Sequence, residues 1–253
     1  MPSVMRGLQR YILFAGLMTG FLLAICGTVS ASGLQVSPVS LSLQALRNAD
    51  GLWLSNTATN IVHAQVRVYH WTQPSGDQLV PSRNLLVSPP MLQVNPGDRQ
   101  LIRVIRTGPP PNGADAVEDA YRVLVDELPI EDKGKTGLQF VLHYSIPVFV
   151  EPAGMASVSP QLQWTLQRDG DKAILQVTNR GNGHAQLSRV SYVDRAGHRI
   201  EINRGLMGYV LPKSTMRWAM NQPASEFTGE GSFEAAINGV ETTQKVPWVD
   251  LAH

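Results

Sequence analysis

The sequence predicts an all-β fold made of two antiparallel β-sandwiches. Apolar residues recur at every second position along much of the chain, which is the period of β-strands. The alternating segments are short, and Pro, Gly and Asn separate them at intervals of about ten residues, a spacing typical of sandwiches. No segment carries a convincing row of apolar residues at helical spacing, so the prediction includes no helix.

The alternating segments fall into two groups. Those of the first group span residues 35–43, 52–54, 63–71, 84–87, 91–94, 100–106 and 121–128. Within this group, Asn95-Pro96-Gly97-Asp98 predicts a tight reversal, because Pro presets one turn dihedral and Gly accepts positive φ. Those of the second group span residues 162–166, 172–178, 186–193, 199–202, 216–220 and 232–237.

The longest alternating run lies between the two groups, at residues 138–150, and reads LQFVLHYSIPVFV. Most strands are only about five or six residues long, so this run is unusual. Pro147 has no N–H to donate to a strand ladder, which favours an edge strand. Two interpretations stay open at this point: a long core strand of a sandwich, or a strand kept for pairing with a partner. One face of the run carries Leu138, Phe140, Leu142, Tyr144, Ile146, Val148 and Val150.

A linker follows this run and predicts a domain boundary. Glu151-Pro152-Ala153-Gly154 has linker composition, and the strand pattern restarts after it. We therefore expect a first domain over residues 32–152 and a second over residues 153–253. No internal repeat is evident in the sequence.

The first 31 residues have the features of a secretory signal peptide. Arg6 and Arg10 precede an apolar stretch, and Val29 and Ala31 supply the small residues of a cleavage site. We expect cleavage after Ala31, whereas the alternative, a retained membrane anchor, would need a longer apolar stretch. Cys26 is the single cysteine, so the mature chain would have no disulfide, thiol nucleophile or cysteine-bound metal.

Charge and motifs argue against several classes of function. The formal net charge is +1 and no basic or acidic block occurs, so no nucleic acid is expected as a partner. The histidines are scattered without ligand spacing, and no cofactor motif is present, so we expect neither a metal nor a cofactor. Asp126 and Glu127 are neighbours in a predicted strand and would point to opposite faces. Gly181-Asn182-Gly183-His184 reads as a turn. An exported enzyme is therefore the weak alternative.

Arginines within predicted strands are candidate binding residues. Arg122 follows Tyr121 among apolar residues, so its guanidinium either reaches solvent or is held to bind a carboxylate with its planar fork of donors. Arg103 and Arg106 have the same ambiguity. Because Arg103 alternates with apolar residues, we expect both of these arginines on a solvated face.

The order and spacing of several segments resemble the periplasmic chaperones of the chaperone–usher pilus pathway. The segments are VSPP at residues 87–90, VNPGD at 94–98, LIRVIR at 101–106 and YRVLVDELP at 121–129. The long run with its FVEP ending at residues 149–152 is similar to that family's donor strand and its exit to the second domain. Residues 121–122, 146–149 and 179–184 look like the archaic (sigma) branch, which also serves spore-coat-U-like subunits.

This resemblance implies a fold, a location and a mechanism. The fold would be two Ig-like domains in an L- or boot-shaped arrangement, located in the periplasm. The chaperone would fold and cap pilus subunits whose Ig-like fold is incomplete, by donor-strand complementation, and deliver them to an outer-membrane usher. A self-capping homodimer of the free chaperone is a further expectation. The subunit-binding residues implied by the resemblance are Leu138, Phe140, Leu142, Tyr144 and Ile146.

One departure from the family concerns the anchor for the subunit. Its best-known members clamp the subunit's C-terminal carboxylate with an Arg on the first strand and a Lys on the donor strand. Those positions align with Ser40 and Pro147 here, and neither side chain can hold an anion. Arg122 is the expected replacement, with Arg103 as the alternative. The rival function is an exported two-domain Ig-like binding or adhesion module, which would not need the protruding apolar strand.

Overall fold

The computed structural model describes residues 33–129, 141–155, 157–227 and 231–250. Strands dominate this part of the chain, which contains no α-helix and a single 3-10 turn at Ala224–Glu226. The predicted all-β fold is therefore confirmed. The proposed signal peptide, Leu138 and Phe140 lie outside the described residues.

The strands before residue 151 form two sheets. They are β1 Leu34–Ser37, β2 Leu41–Leu43, β3 Ala49–Asn56, β4 Val62–Thr72, β5 Gln78–Pro81, β6 Leu85–Ser88, β7 Met91–Val94, β8 Arg99–Arg106, β9 Asp119–Leu128 and β10 His143–Val150. One sheet has the order β1-β3-β8-β6. The other has the order β2-β10-β9-β4-β5, and β7 also pairs with β4. All pairs are antiparallel except β10 with β2, which is parallel.

These two sheets enclose the first hydrophobic core. Leu52 and Ile102 contribute from the four-stranded sheet, and Val66, Val123 and Val148 contribute from the six-stranded sheet. All five side chains are buried, so each strand presents alternate residues to the interior. This is the arrangement of a β-sandwich.

The strands after residue 161 form a second pair of sheets with their own core. They are β11 Leu162–Asp169, β12 Lys172–Asn179, β13 Ala185–Val193, β14 Arg199–Val210, β15 Thr215–Pro223, β16 Ser232–Ile237, β17 Val240–Lys245 and β18 Trp248–Asp250. The sheet orders are β15-β12-β11-β18 and β14-β13-β16-β17. In the described part of the chain no sheet mixes strands from the two halves. The two predicted sandwiches are confirmed, whereas the boundary at residue 152 and the boot-shaped arrangement stay predictions.

The structure differs from the predicted strands in three respects. Strand β14 was predicted only over residues 199–202 but runs from Arg199 to Val210. Residues 35–43 form two strands in different sheets, with Pro38 at the start of the crossover between β1 and β2. A proline cannot donate to a ladder, which explains why the first strand ends there. Strands β5, β17 and β18 were not predicted, and every residue of β5 is exposed, so it carries no alternation of buried positions.

Arg106 corrects one expectation. Arg103 is exposed on β8, as predicted, but Arg106 is buried at 8% exposure. Residues three apart in a strand point to opposite faces, so the two arginines cannot share the solvated side. The guanidinium of Arg106 donates to the carbonyls of Gly108 at 2.7 Å and Ala45 at 2.9 Å. Arg106 therefore ties together loops at one end of the first sandwich.

A buried asparagine closes one end of each sandwich in the same way. Asn56, the last residue of β3, donates through Nδ2 to the carbonyls of Asn60 at 2.7 Å and Val94 at 3.0 Å. Its Oδ1 accepts from the N–H of Ala58 at 2.9 Å. The side chain therefore satisfies backbone groups of the following loop and of the strand β7.

Asn179, the last residue of β12, repeats this pattern in the second sandwich. Its Nδ2 donates to the carbonyls of Gly183 at 2.7 Å and Val210 at 3.0 Å, and its Oδ1 accepts from the N–H of Gly181 at 2.9 Å. The partners lie two and four residues after the asparagine in both halves. The structure thus contains an internal correspondence that the sequence does not reveal.

The correspondence continues into a proline turn. Val94 begins the sequence VNPGD and Val210 begins VLPKS, and both segments reverse the chain after the strand that contacts the asparagine. The residue after proline has positive φ in each, +79° at Gly97 and +60° at Lys213. The predicted reversal at residues 95–98 is therefore confirmed, and it has a counterpart at residues 211–214.

Exchanging the residue types at these two turns is expected to change stability in opposite directions. An L-residue in the left-handed region costs about 1 kcal/mol, and glycine avoids this cost. We expect Lys213→Gly to raise the free energy of unfolding by up to about 1 kcal/mol, reduced by losing the Lys213 hydrogen bond to the Arg180 carbonyl. Gly97→Ala should lower it by about 1 kcal/mol, since a Cβ there meets no atom within 4 Å and only backbone strain acts. Urea unfolding measures the free energy of unfolding of both variants. A Lys213→Gly variant that is less stable than the wild type would contradict the prediction.

Candidate functional site

Strand β10 has an open edge along its first half. It pairs with β9 over its whole length, from His143 to Val150. On its other side, β2 pairs only with residues Val148 to Val150. Residues 143–147, including Pro147, therefore have a ladder partner on one side only among the described residues. Unpaired backbone groups of this kind are the template onto which a further strand is added.

The apolar row that includes β10 divides into two stretches, because the last five residues of β10, 146–150, are all buried whereas those before them are not. Ile146, Val148 and Val150 are buried in the first hydrophobic core. Leu142 and Tyr144 are only partly buried and pack against the margin of that core, and the Tyr144 hydroxyl donates to the carbonyl of Leu34. One end of the apolar row thus belongs to the chain's own interior, and the other end lies at its surface.

Arg122 lies beside this edge, on the face of the six-stranded sheet that is turned away from the first core. It is directly opposite Pro147 in the β9–β10 register, and one guanidinium nitrogen lies 3.4 Å from the carbonyl of Ser145. The guanidinium carbon lies 3.7 Å from the centroid of the Trp71 ring and 5.1 Å from that of Tyr209. Tyr209 belongs to β14, so each of the two sandwiches contributes an aromatic ring next to this cation.

No carboxylate of the described residues forms an ion pair with Arg122. Burial lowers the pKa of Arg122 from its ordinary value, with Tyr209 and Asp77 opposing this effect. An arginine keeps its charge in proteins even so. A half-buried guanidinium without a counter-ion has donors available for an anion, and pairing would compensate its desolvation.

Asp119, three residues before Arg122 in the sequence, is already engaged by other partners. Asp119 accepts hydrogen bonds from His70 at 2.8 Å and from the hydroxyl of Tyr121 at 2.5 Å. Burial alone would raise the pKa of Asp119, but the hydrogen bonds from His70 and Tyr121 lower it overall. The same hydrogen bond raises the pKa of His70, in spite of its partial burial. Asp119 is thus held as an anion by partners other than Arg122.

Glu118 and His184 connect the two sandwiches. The buried carboxylate of Glu118 accepts from the His184 N–H at 2.8 Å and lies 2.6 Å from its Nδ1. The imidazole stacks on Phe149, with ring centroids 3.5 Å apart and planes inclined by 3°. The sequence interpretation placed His184 in a turn and gave it no partner. Its partner is 66 positions away in the chain, so no local pattern signals the pair.

Ser40 lines a small cavity, whereas Pro147 does not. The cavity has a volume of about 240 Å³ and lies between β2 and the second sandwich. Ser40 is exposed on the loop before β2, so this wall of the cavity has no cation. Arg103 projects from β8, a strand of the other sheet of the first sandwich, where it is exposed. The lining residues are Ser40, Ser42, Phe149, His184, Gln186, Tyr209 and Asn238.

The part of the chain that the structure describes has neither a metal-binding cluster nor a membrane-spanning helix. Within it, no group of three or more His, Cys, Asp or Glu side chains could hold a metal ion. The same residues include no helix of the length and hydrophobicity required to cross a membrane. Asp126 forms ion pairs with Arg67 at 2.6 Å and with His143.

Residues 33–156 match the family model of the pili and flagellar-assembly chaperones, PapD N-terminal domain. This match includes strands β1 to β10, the open edge and Arg122. A search of curated proteins found no match.

Solved structures similar to this chain include pilus chaperones and their complexes. A chain of the CsuC–CsuE chaperone–tip subunit pre-assembly complex, from archaic chaperone–usher Csu pili of Acinetobacter baumannii, is 23% identical with a TM-score of 0.66, covering 85% of this chain and 99% of that one. The Pseudomonas aeruginosa CupB2 chaperone is 19% identical with a TM-score of 0.59, covering 83% and 98%. A chain of the Salmonella enterica SafA pilin–SafB chaperone complex is 18% identical with a TM-score of 0.59, covering 86% and 97%. At these identities the likeness concerns the two-domain fold alone.

Proposed function

Because the chain belongs, through residues 33–156, to the family of pili and flagellar-assembly chaperones, we propose that it completes the fold of pilus subunits by lending them strand β10. The single observation that carries this proposal is the open edge of β10 at residues 143–147. A subunit with an incomplete Ig-like fold has an open groove in its core. A donated strand supplies main-chain hydrogen bonds to that groove, and its alternate side chains fill the pockets.

The apolar row of the donor strand supplies the binding free energy in this proposal. Leu138, Phe140 and Leu142 enter the subunit's core, and Tyr144 adds a contact at the margin. Burying three such side chains contributes roughly 5 to 9 kcal/mol of transfer free energy, before the cost of association. Ile146 is only 3% exposed in the chain's own core, so we assign it a main-chain role in the pairing. No nucleotide is required, because the free energy comes from completing a fold.

Arg122 is the proposed anchor for the subunit's C-terminal carboxylate. Its position opposite Pro147 and its lack of a carboxylate partner among the described residues support this assignment over Arg103, whose strand lies in the other sheet. An anchor has a clear purpose, since a slip by one residue would turn the whole apolar row away from the groove. A guanidinium binds a carboxylate through two parallel hydrogen bonds, which fixes both position and orientation.

The wider setting of this activity follows from the family. We assign the chain to the periplasm, with residues 1–31 removed as a signal peptide, and to the archaic branch. The complex would pass the subunit to an outer-membrane usher, and the free chaperone would protect its edge in a homodimer. No cofactor, metal, nucleic acid or catalytic step enters this proposal.

The first test is capture of the subunit. The mature chain, residues 32–253, carrying a tag is recovered from the periplasm of its own host, and bound proteins are identified by mass spectrometry. We expect a small β-rich subunit in stoichiometric amount. Recovery of the chaperone without such a partner would contradict the proposal and favour the two-domain adhesion module.

Limited proteolysis separates the same two alternatives. Trypsin cleaves after lysine, and Lys133 and Lys135 precede the apolar run, outside the described residues. We expect cleavage there in the free chain and protection in the complex, because a bound subunit would pair with the strand that follows. Equal cleavage in the presence and absence of subunit would count against donor-strand pairing.

A further inference from the structure

Gln73 connects the two sandwiches at the edge of the Arg122 site. It follows β4, is 4% exposed, and uses its whole amide group. Its Oε1 accepts from the N–H of Leu211 at 2.8 Å, and its Nε2 donates to the carbonyl of Tyr209 at 3.0 Å. The same Nε2 donates to the carboxylate of Asp77 at 2.8 Å. One amide thus holds the backbone on both sides of residue 210 against the first sandwich.

Two aromatic rings, those of Trp71 and Tyr209, form the walls of the Arg122 site, and both are held by the hydrogen bonds around Gln73. Tyr209 is the wall from the second sandwich, and its backbone is the part that Gln73 binds. Trp71 is the wall from the first sandwich, and its indole N–H donates to the same oxygen of Asp77 that Gln73 contacts, at 2.8 Å. The two rings also contact each other edge to face, with centroids 5.3 Å apart.

The charge of Asp77 gives an electrostatic reason for the hydrogen bonds that Trp71 and Gln73 donate to it. The negative charge of Asp77 opposes the lowering of the pKa of Arg122 by burial. The carboxylate is nevertheless occupied by Trp71 and Gln73 and forms no ion pair with Arg122. If Gln73 were lost, one set of hydrogen bonds that restrains Asp77 would be lost as well. The carboxylate would then be freer to compete for the guanidinium.

We propose that Gln73 and Tyr209 are positioning residues for the anion site, which is complete only when the second sandwich is docked on the first. This inference rests on the proposed function, in which Arg122 binds the subunit's C-terminal carboxylate. A guanidinium packed over the Trp71 ring, with the Tyr209 ring beside it, loses little further side-chain entropy when it binds an anion. Its donors in the plane of the group stay available for the two oxygens of a carboxylate. The geometry therefore favours a carboxylate over a neutral chain end.

The test measures the preference of the chaperone for a subunit with a C-terminal carboxylate over one with a neutral C-terminus, and not only its affinity for the subunit. The probe is the subunit captured by the wild-type chain, prepared with its C-terminal carboxylate and, separately, with a C-terminal amide. The two forms, one of them isotope-labelled, compete for limiting full-length mature chaperone. The ratio retained is read by mass spectrometry. A variant that is merely less stable retains less of both forms, so its ratio stays at the wild-type value.

We expect the wild-type chain to prefer the carboxylate form by about tenfold or more, the ratio that corresponds to about 1.4 kcal/mol. Gln73→Leu and Tyr209→Leu should each reduce this preference at least about threefold, because they release one wall of the site. Tyr209→Phe keeps the ring and should keep the preference. Asn56→Ala removes a buried amide that contacts no residue of the Arg122 site, so it controls for loss of stability.

The outcomes distinguish two claims, that Arg122 anchors the carboxylate and that Gln73 and Tyr209 position Arg122. If the wild-type chain shows no preference, or Arg122→Ala retains it, Arg122 is not the anchor and the proposed function loses that element. If Arg122→Ala abolishes the preference while Gln73→Leu and Tyr209→Leu keep it in full, the positioning role is overturned and the anchor stands. Loss in Asn56→Ala equal to that in Gln73→Leu would also overturn the positioning role.

Discussion

Leu142→Asp is expected to abolish retention of the pilus subunit while leaving the free chain folded. Leu142 is the described member of the apolar row nearest to its N-terminal end, and it is only partly buried in the free chain. In the complex its side chain would lie in the subunit's core. The substitution removes about 1.5 to 3 kcal/mol of apolar burial and adds the much larger cost of burying a carboxylate without a partner. Co-purification with the tagged chain measures the loss.

The neighbouring residue provides a matched control for this prediction. Val141 is 49% exposed and is adjacent to Leu142, so in an extended donor strand it points to the opposite face. Val141→Asp introduces the same charge one position away and should retain the subunit. Thermal unfolding of both variants shows whether the free chain stays folded. A Leu142→Asp variant that still retains subunit would exclude the donor-strand mechanism.

Arg122→Ala is expected to weaken the subunit complex by about 2 to 5 kcal/mol, the usual cost of removing one partner of a buried charge pair. The loss arises because the subunit's carboxylate would remain desolvated in the cleft without its guanidinium. This corresponds to an increase in the dissociation constant of at least about 30-fold. Dissociation of the purified complex, followed by exchange with labelled subunit, measures the change. Arg122→Lys should recover only part of the affinity, because an ammonium lacks the planar fork of donors.

Arg67 is the control for this prediction. It lies on β4, on the same outer face of the sheet, and forms an exposed ion pair with Asp126. Exposed pairs contribute about 1 kcal/mol or less, so Arg67→Ala should leave the complex nearly unchanged. An unchanged complex in Arg122→Ala would mean that another group holds the carboxylate, and Arg103→Ala would then be tested in the same way.

The architecture was predictable where a strand has one buried and one exposed face. Strand β7 was predicted at its observed bounds, and most of the other strands that alternate in this way were found with small differences at their ends. The prediction missed β5, whose four residues are all exposed, because burial imposes no pattern on it. It also joined β1 and β2, because alternation continues through Pro38 while the chain changes sheet.

The candidate site was predictable only in part. Arg122 was identified because a charged residue stands out among apolar neighbours in one strand. Gln73, His184 and Tyr209 were not identified as site residues, because each contacts a residue that is distant in the sequence. Gln73, for example, bonds to Leu211 at a separation of 138 positions. Contacts of this kind depend on how two domains dock, and no local pattern of residue types encodes that.

Each sandwich is closed by a buried asparagine and a neighbouring proline turn, and this shared feature has a consequence for the ancestry of the chain. Asn56 and Asn179 agree in three hydrogen bonds, and the valine and proline of the adjoining turns correspond position by position. Such agreement is what tandem duplication of a single ancestral domain would leave behind. The residues after the two prolines, Gly97 and Lys213, would then mark a position at which the two copies diverged. After duplication one copy would have been free to acquire the donor strand, and the other to supply Tyr209 as the second wall around Arg122.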